Sequence, residues 1–209
     1  MSEKKAEIIN IDYNIDEAVQ RAKKLYTEGK VFIYPTDTIY GFGSNPFNKA
    51  AVERIVNIKG REDEKKFILL IDTIQNMLKY AELKSEKQID FLLSIWPNPV
   101  SVILKLSNEA KNALGQEDAA FRIPDNKFCY KLLSDIKLPL ISTSANRTGE
   151  EPILEHKKVI DEFALDVDAI FFTEKEIKAD ASTIIRLSDK PELIREGVFK
   201  FEEIIRKYK

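Results

Sequence analysis

The 209-residue chain contains one cysteine, Cys129, one histidine, His156, and only seven glycines. Each shortage excludes something. A lone cysteine cannot close a disulfide within the chain, which suits a reducing compartment. One histidine and one cysteine are too few for the usual His/Cys zinc sites, so no metal site is expected, and they argue against a Cys–His nucleophilic pair. Gly41 and Gly43 are followed by Pro46, not by a third glycine, and no GxxxxGK[ST] occurs, so neither common phosphate-loop fingerprint is present. Long apolar runs are missing too. FILLI at 67–71 is strand-sized, against the ~20 residues of a membrane helix, and the charged N-terminus has no apolar signal core. Positive charge is not in excess: 33 Lys plus Arg against 35 Asp plus Glu gives −2, so no global field draws nucleic acid or acidic membrane. A cytoplasmic protein is expected.

What is present is an alternation of helix-period and strand-like segments. Residues 16–28 place Ala18, Ala22, Leu25 and Tyr26 at helical spacing before Gly29. Residues 31–34 read as a buried strand ended by Pro35, and 48–58 as a helix capped by Asn48. The apolar run 67–71 has the pattern of a strand covered on both faces. Helical patterns follow at 73–81, 85–95, 127–134, 154–164 and 202–208. Strand patterns lie at 100–106, 119–123, 138–143, 169–172, 183–187 and 193–195. No linker or repeat divides the chain, which predicts one α/β domain over 1–209, with its core at about 14–200.

Four constellations are candidates for chemistry. In YPTDTIYGFG, 34–43, a buried strand runs into proline, hydroxyls, Asp37 and two glycines, and ligands in α/β folds gather at such strand ends; an ordinary turn entering a helix is the plainer reading. In Lys59-Gly60-Arg61, two cations flank a flexible residue, and arginine grips carboxylate or phosphate in a fork; a basic helix terminus explains the same residues. In LISTSAN, 140–146, three hydroxyls and an amide end another strand, able to bond a polar ligand or to cap a helix. Arg122, Arg186 and Arg195 stand in strand patterns, where each needs an anionic partner or an exposed face. His156 reads as a surface residue and Cys129 as core packing.

In this order, VFIYPTDTIYGFG, Lys59-Gly60-Arg61, Ser144-Ala145-Asn146-Arg147-Thr148-Gly149 and the terminal STIIRL…LIREG pair resemble the YrdC-like family, the threonylcarbamoyl-AMP synthases, in the short single-domain form. The resemblance implies a twisted mixed parallel and antiparallel sheet with flanking helices around a cationic cavity. It also implies a nucleotidyltransferase reaction: threonine, bicarbonate and ATP, with magnesium bound through phosphates, give threonylcarbamoyl-AMP and pyrophosphate. Partner transferase proteins then modify adenosine 37 of tRNA. By the same resemblance Lys59 and Arg61 are catalytic, and Thr36, Ser144 and Ser182 hold threonine or its carbamate. Lys59, Arg61, Arg122, Ser144, Asn146 and Arg195 contact the nucleotide. The sequence departs from the family where Lys65-Lys66-Phe67-Ile68-Leu69-Leu70 replaces a histidine-bearing run. It departs again at Asn98, where a glycine is usual, and at 173–180, where the usual stretch is glycine-rich. A YciO-like paralogue acting on another nucleotide-linked substrate is therefore one alternative. A module binding tRNA or double-stranded RNA in the cationic cavity is another.

Overall fold

A computed structural model describes residues 5–60, 67–177 and 181–208. Helix starts follow from short polar side chains. The side chains of Asn14, Asn48 and Asn126 accept the amide hydrogens of Glu17, Ala51 and Cys129, capping α1 (Ile15–Thr27), α2 (Lys49–Lys59) and α6 (Lys127–Ile136). Gly60 ends α2 in the left-handed region, φ 64, a conformation that favours glycine. Lys59 is thereby fixed in the last turn.

Ten strands form one open sheet: β1 (Glu7–Asn10), β2 (Phe32–Pro35), β3 (Tyr40–Gly43), β4 (Ile68–Leu70), β5 (Val100–Lys105), β6 (Asp118–Arg122), β7 (Leu140–Ser144), β8 (Ala169–Phe172), β9 (Thr183–Leu187) and β10 (Pro191–Arg195). Their order is β1-β8-β2-β3-β7-β4-β6-β5-β9-β10. β1, β8 and β2 run parallel, as do β4 with β6 and β5 with β9; the other neighbours are antiparallel. The mixed α/β sheet agrees with the expected fold class.

The central strands are buried on both faces because their side chains alternate between two apolar layers. Phe32, Tyr34 and Phe171 pack with α1 and α6 through Ala22, Leu25, Phe128 and Leu132. Val31, Ile33, Phe42 and Ile170 face the other layer, with Ile55 of α2 and Phe163 of α7 (His156–Phe163). Fully burying a side chain of this size contributes about 1.5–3 kcal/mol, so the double layer anchors the strand ends that carry the candidate residues.

Some expectations fail. Tyr40–Gly43 is not a glycine loop: it is β3, wholly buried and paired to β2 and β7. Its glycines serve packing. A Cβ on Gly43 would lie 2.6 Å from the Tyr34 ring and 2.8 Å from the Phe32 ring, so only a bare backbone fits there. The helical pattern at 73–81 yields only α3 (Ile74–Met77), and Ala81 then pairs with Leu106 as an isolated bridge. Sequence reading overlooked β1 and α5 (Asn108–Leu114), a four-residue edge strand and a two-turn helix too short to display a period. The remaining helices are α4 (Glu86–Ile95) and α8 (Phe201–Lys207). No helix among the described residues is long and apolar enough to cross a membrane.

Candidate functional site

The candidate residues fall into three adjoining clusters at strand ends. The first is built around Lys59, which is 1% exposed. Its ammonium donates to Ser144 O, to Asn146 O at 2.9 Å and to Asn146 Oδ1 at 3.0 Å, and stands 5.4 Å from the centre of the Phe42 ring. Thr148 N donates back to Lys59 O at 2.8 Å, and the Asn146 amide donates to Arg147 O and Glu150 O. Arg147 completes the clamp by donating to Ile58 O and pairing with Glu162 and Asp166. Lys59, distant in sequence from Ser144 and Asn146, thus meets both. In this structure the Lys59 ammonium holds the loop that follows β7. Ser144 itself is half-buried.

Arg122, the last residue of β6, centres the second cluster and is 3% exposed. Its Nη1 donates to Thr38 Oγ1 at 3.1 Å, and its Nη2 is in ion-pair contact with the Asp37 carboxylate. Three strands lie between β6 and β2, so the sheet must curl for this contact to form. Thr38 Oγ1 lies 2.9 Å from Thr36 Oγ1. The Thr36 hydroxyl accepts from Thr38 N and Ile39 N, both at 3.1 Å, and lies 2.7 Å from Ile39 O. The turn reading of 36–39 is therefore correct for this side chain. Thr36 and Asp37 also line a cleft of about 380 Å³ with Asn126, Lys127 and Thr173. Behind the turn, burial pushes the Tyr34 hydroxyl and the Cys129 thiol well above their ordinary pKa values.

Ser182 belongs to the third cluster, just before β9. It is buried, its hydroxyl lies 3.0 Å from Ser101 Oγ, and its carbonyl accepts from Arg195 Nη2 at 2.9 Å. Arg195 keeps an exposed surface, and burial of the rest pushes its pKa below the ordinary value. Gly197 lies so close to this segment that a Cβ would meet Ala181 O at 2.1 Å.

Pairing joins the clusters. Gly41 is opposite Ser144, and Ala145 N donates to Tyr40 O, so the Lys59 loop adjoins the 36–39 turn. Val102 is opposite Phe121, which sets Ser101 one step on beside Arg122. Arg61 lies outside the described residues. Arg186 is not part of the assembly: it pairs with Asp118. His156, expected at the surface, is half-buried and stacked on Phe172 at 4.9 Å between ring centres. Asp37 and Thr38 belong to the first candidate constellation but were given no role, and Ser101 was not singled out. The rule that an apolar-strand arginine needs an anion would have led from Arg122 to Asp37. Nothing local marks Ser101.

The arrangement holds two buried cations, hydroxyls and an amide around strand ends; the one thiol beside it, Cys129, is buried behind the turn with its pKa pushed well up, which makes it no general base. Such a site suits charge stabilisation and alignment of anions. No groups of metal-ligating side chains occur among the described residues.

Comparison with known proteins agrees with this picture. The family described as Sua5_yciO_yrdC, telomere recombination, matches residues 24–197. A threonylcarbamoyl-AMP synthase of Vibrio vulnificus is 30% identical over 183 residues, covering 86% of this chain and 98% of that protein. The crystal structure of P. abyssi Sua5 complexed with L-threonine superposes with a TM-score of 0.85 at 26% identity. That match covers 96% of this chain, which spans 60% of the Sua5 chain. E. coli YciO shares the fold, with a TM-score of 0.84 at 24% identity over 96% of this chain and 99% of its own.

Proposed function

Because this chain belongs to the Sua5/YciO/YrdC family, we propose that it is an enzyme, a threonylcarbamoyl-AMP synthase, working as a single unit over residues 1–209. ATP is a substrate of this class of enzyme. Threonine captured by bicarbonate becomes its carbamate, with loss of water. A carbamate oxygen then attacks the α-phosphorus of ATP, and pyrophosphate leaves. The carbamate is already an anionic nucleophile, so the lack of a histidine base is no obstacle. The protein's task is to align a carboxylate, a carbamate and a triphosphate and to balance their charge. Magnesium brought in with the ATP would supply further positive charge.

Lys59 and Arg61 are proposed as the catalytic cations. In the present geometry Lys59 also fixes the loop that presents Ser144 and Asn146. Asn146 and Arg195 are assigned to the nucleotide, and Ser144 to the nucleotide and the threonine side together. Ser182 faces threonine, its hydroxyl oriented by Ser101. Thr36 contributes through its turn, since its hydroxyl is engaged there. Arg122, which the resemblance places with the nucleotide, ends β6 against Asp37 and Thr38. Donation of the product to transferase proteins that modify position 37 of tRNA, in the cytoplasm, completes the reading.

The observation that carries the proposal is the meeting of Lys59 with Ser144 and Asn146 in one buried cluster, across the sheet and from separate motifs. The likeness to E. coli YciO supports a second reading, a paralogue of different substrate. Incubating the protein with ATP, magnesium, bicarbonate and threonine, and weighing the products, separates the two. Threonylcarbamoyl-AMP that disappears when bicarbonate is omitted supports the synthase. An ATP-derived product without threonine supports the paralogue.

A further inference from the structure

The last turn of α2, which carries Lys59, is completed from outside the helix. A helix leaves its final carbonyls without partners of its own. Gly60 N donates to Asn57 O and Val56 O. The last two carbonyls, Ile58 O and Lys59 O, accept from Arg147 Nη1 at 2.6 Å and from Thr148 N at 2.8 Å. Arg147 also brings a cation to the negative end of the helix dipole. The contact runs the other way too, since the Lys59 ammonium donates to Ser144 O and to Asn146 O and Oδ1. The end of α2 and the segment after β7 therefore cap each other. Asn146 is turned for this by its own amide, which donates to Arg147 O at 3.0 Å.

Arg147 is itself anchored from a third direction. Its Nε donates to Glu162 Oε1 on α7 and its Nη2 to Asp166 Oδ2, both at 2.7 Å. The guanidinium lies 4.8 Å from the centre of the Phe163 ring. Asp166 is held in turn, because its carbonyl accepts from Arg54 Nη2 at 2.6 Å. Arg54, on α2, pairs with Asp168, whose carboxylate accepts from Val31 N at 3.0 Å. The side chains of Arg147, Glu162 and Asp166 are 34%, 40% and 33% exposed, so solvent screens their attraction and the pairs add little to stability. What they fix is position.

We propose that Arg147 is a positioning residue for the nucleotide: anchored on Glu162 and Asp166, it caps α2 and so sets the Lys59 ammonium against the Asn146 amide. This inference rests on the synthase reading, in which Lys59 and Asn146 meet ATP, and it names what fixes their spacing. Lys59 and Asn146 come from different elements, so their spacing holds only while both ends of the contact are tied. A misplacement of about 1 Å at such a pair costs up to about a hundredfold in rate.

The test is steady-state synthesis with ATP and threonine varied separately, with melting temperature as a control. Arg147→Met keeps the length of the side chain and removes its charge and donors. It should raise the KM for ATP about tenfold or more, change the KM for threonine by less than about threefold, and lower the melting temperature by about 5 °C or less. Asp166→Asn, a change outside the site, removes one anchor and should raise the ATP KM about threefold. The two changes combined should match Arg147→Met alone, because Asp166 acts through the arginine. A folded Arg147→Met with the wild-type ATP KM, or with both KM values raised alike, overturns the inference, as does a double variant whose effect is the product of the single ones. If Arg147→Met does not fold, Asp166→Asn decides, and an unchanged ATP KM there overturns it. Absence of threonylcarbamoyl-AMP from the wild type overturns the synthase reading itself, and this inference with it.

Discussion

The two buried cations of the site among the described residues, Lys59 and Arg122, meet different partners. Among the described residues, the Lys59 ammonium donates to neutral acceptors, the carbonyl of Ser144 at the end of β7 and the carbonyl and amide oxygen of Asn146. Arg122 has an anion and one hydroxyl, and leaves most of its donors without a hydrogen bond. An ammonium has three donors in no fixed plane and can be saturated by scattered carbonyls. A guanidinium has five in a rigid plane, so one carboxylate in poor alignment leaves an edge unused. The difference teaches a division of labour. The lysine ties the end of β7 to the residues after it, and the arginine is held by charge against the 36–39 turn.

Breaking the Arg122 pair should have the largest effect. Arg122→Met leaves the Asp37 carboxylate buried without a counter-charge, a change that costs about 3–5 kcal/mol and lowers the melting temperature by roughly 6–20 °C. A thermal shift of only a degree or two would mean that Asp37 finds water. Lys59→Met comes next. It removes the ammonium from Ser144 O, which still accepts from Asn146 N, and from the two Asn146 oxygens, costing about 1–3 kcal/mol and disordering the presentation of Asn146. Turnover should fall further than stability, and a variant with normal turnover would remove Lys59 from the site.

Arg61→Lys sharpens the comparison from the other direction, because it keeps charge and discards the fork. By the family resemblance it should reduce turnover about thirtyfold or more with no change in melting temperature. Full activity would show that a point charge suffices there. The smallest effect concerns Cys129. Burial beside the Asp37–Arg122 pair pushes its thiol well above the ordinary value, so alkylation at pH 8 should be negligible in the native protein and rapid in denaturant. Fast native labelling would show that this cluster opens.

The long helices and central strands were legible because their apolar periods are long. α1 and α2 lie within a residue of their expected bounds, as their asparagine caps and glycine stops suggest. β3 was not legible. Gly41 and Gly43 look like turn chemistry, and the need for bare backbone against the Tyr34 and Phe32 rings appears only once strands are paired. The site divides in the same way. Lys59, Ser144 and Asn146 were recognisable as motifs, yet their mutual hydrogen bonds depend on tertiary folding. Ser101 carries no local signal of function, and the partners of Asp37 and Ser101, Arg122 and Ser182, lie 85 and 81 residues away in sequence.

The most direct measurement of the account is the rate of carbamoyl-adenylate formation from threonine against valine, its isostere without the hydroxyl. A site that hydrogen-bonds the substrate hydroxyl leaves buried polar groups unpaired when valine binds, and such sites reject the analogue by about 10⁴-fold. The account predicts abundant product from threonine and at most a trace from valine; equal rates, or no product from threonine, would contradict it.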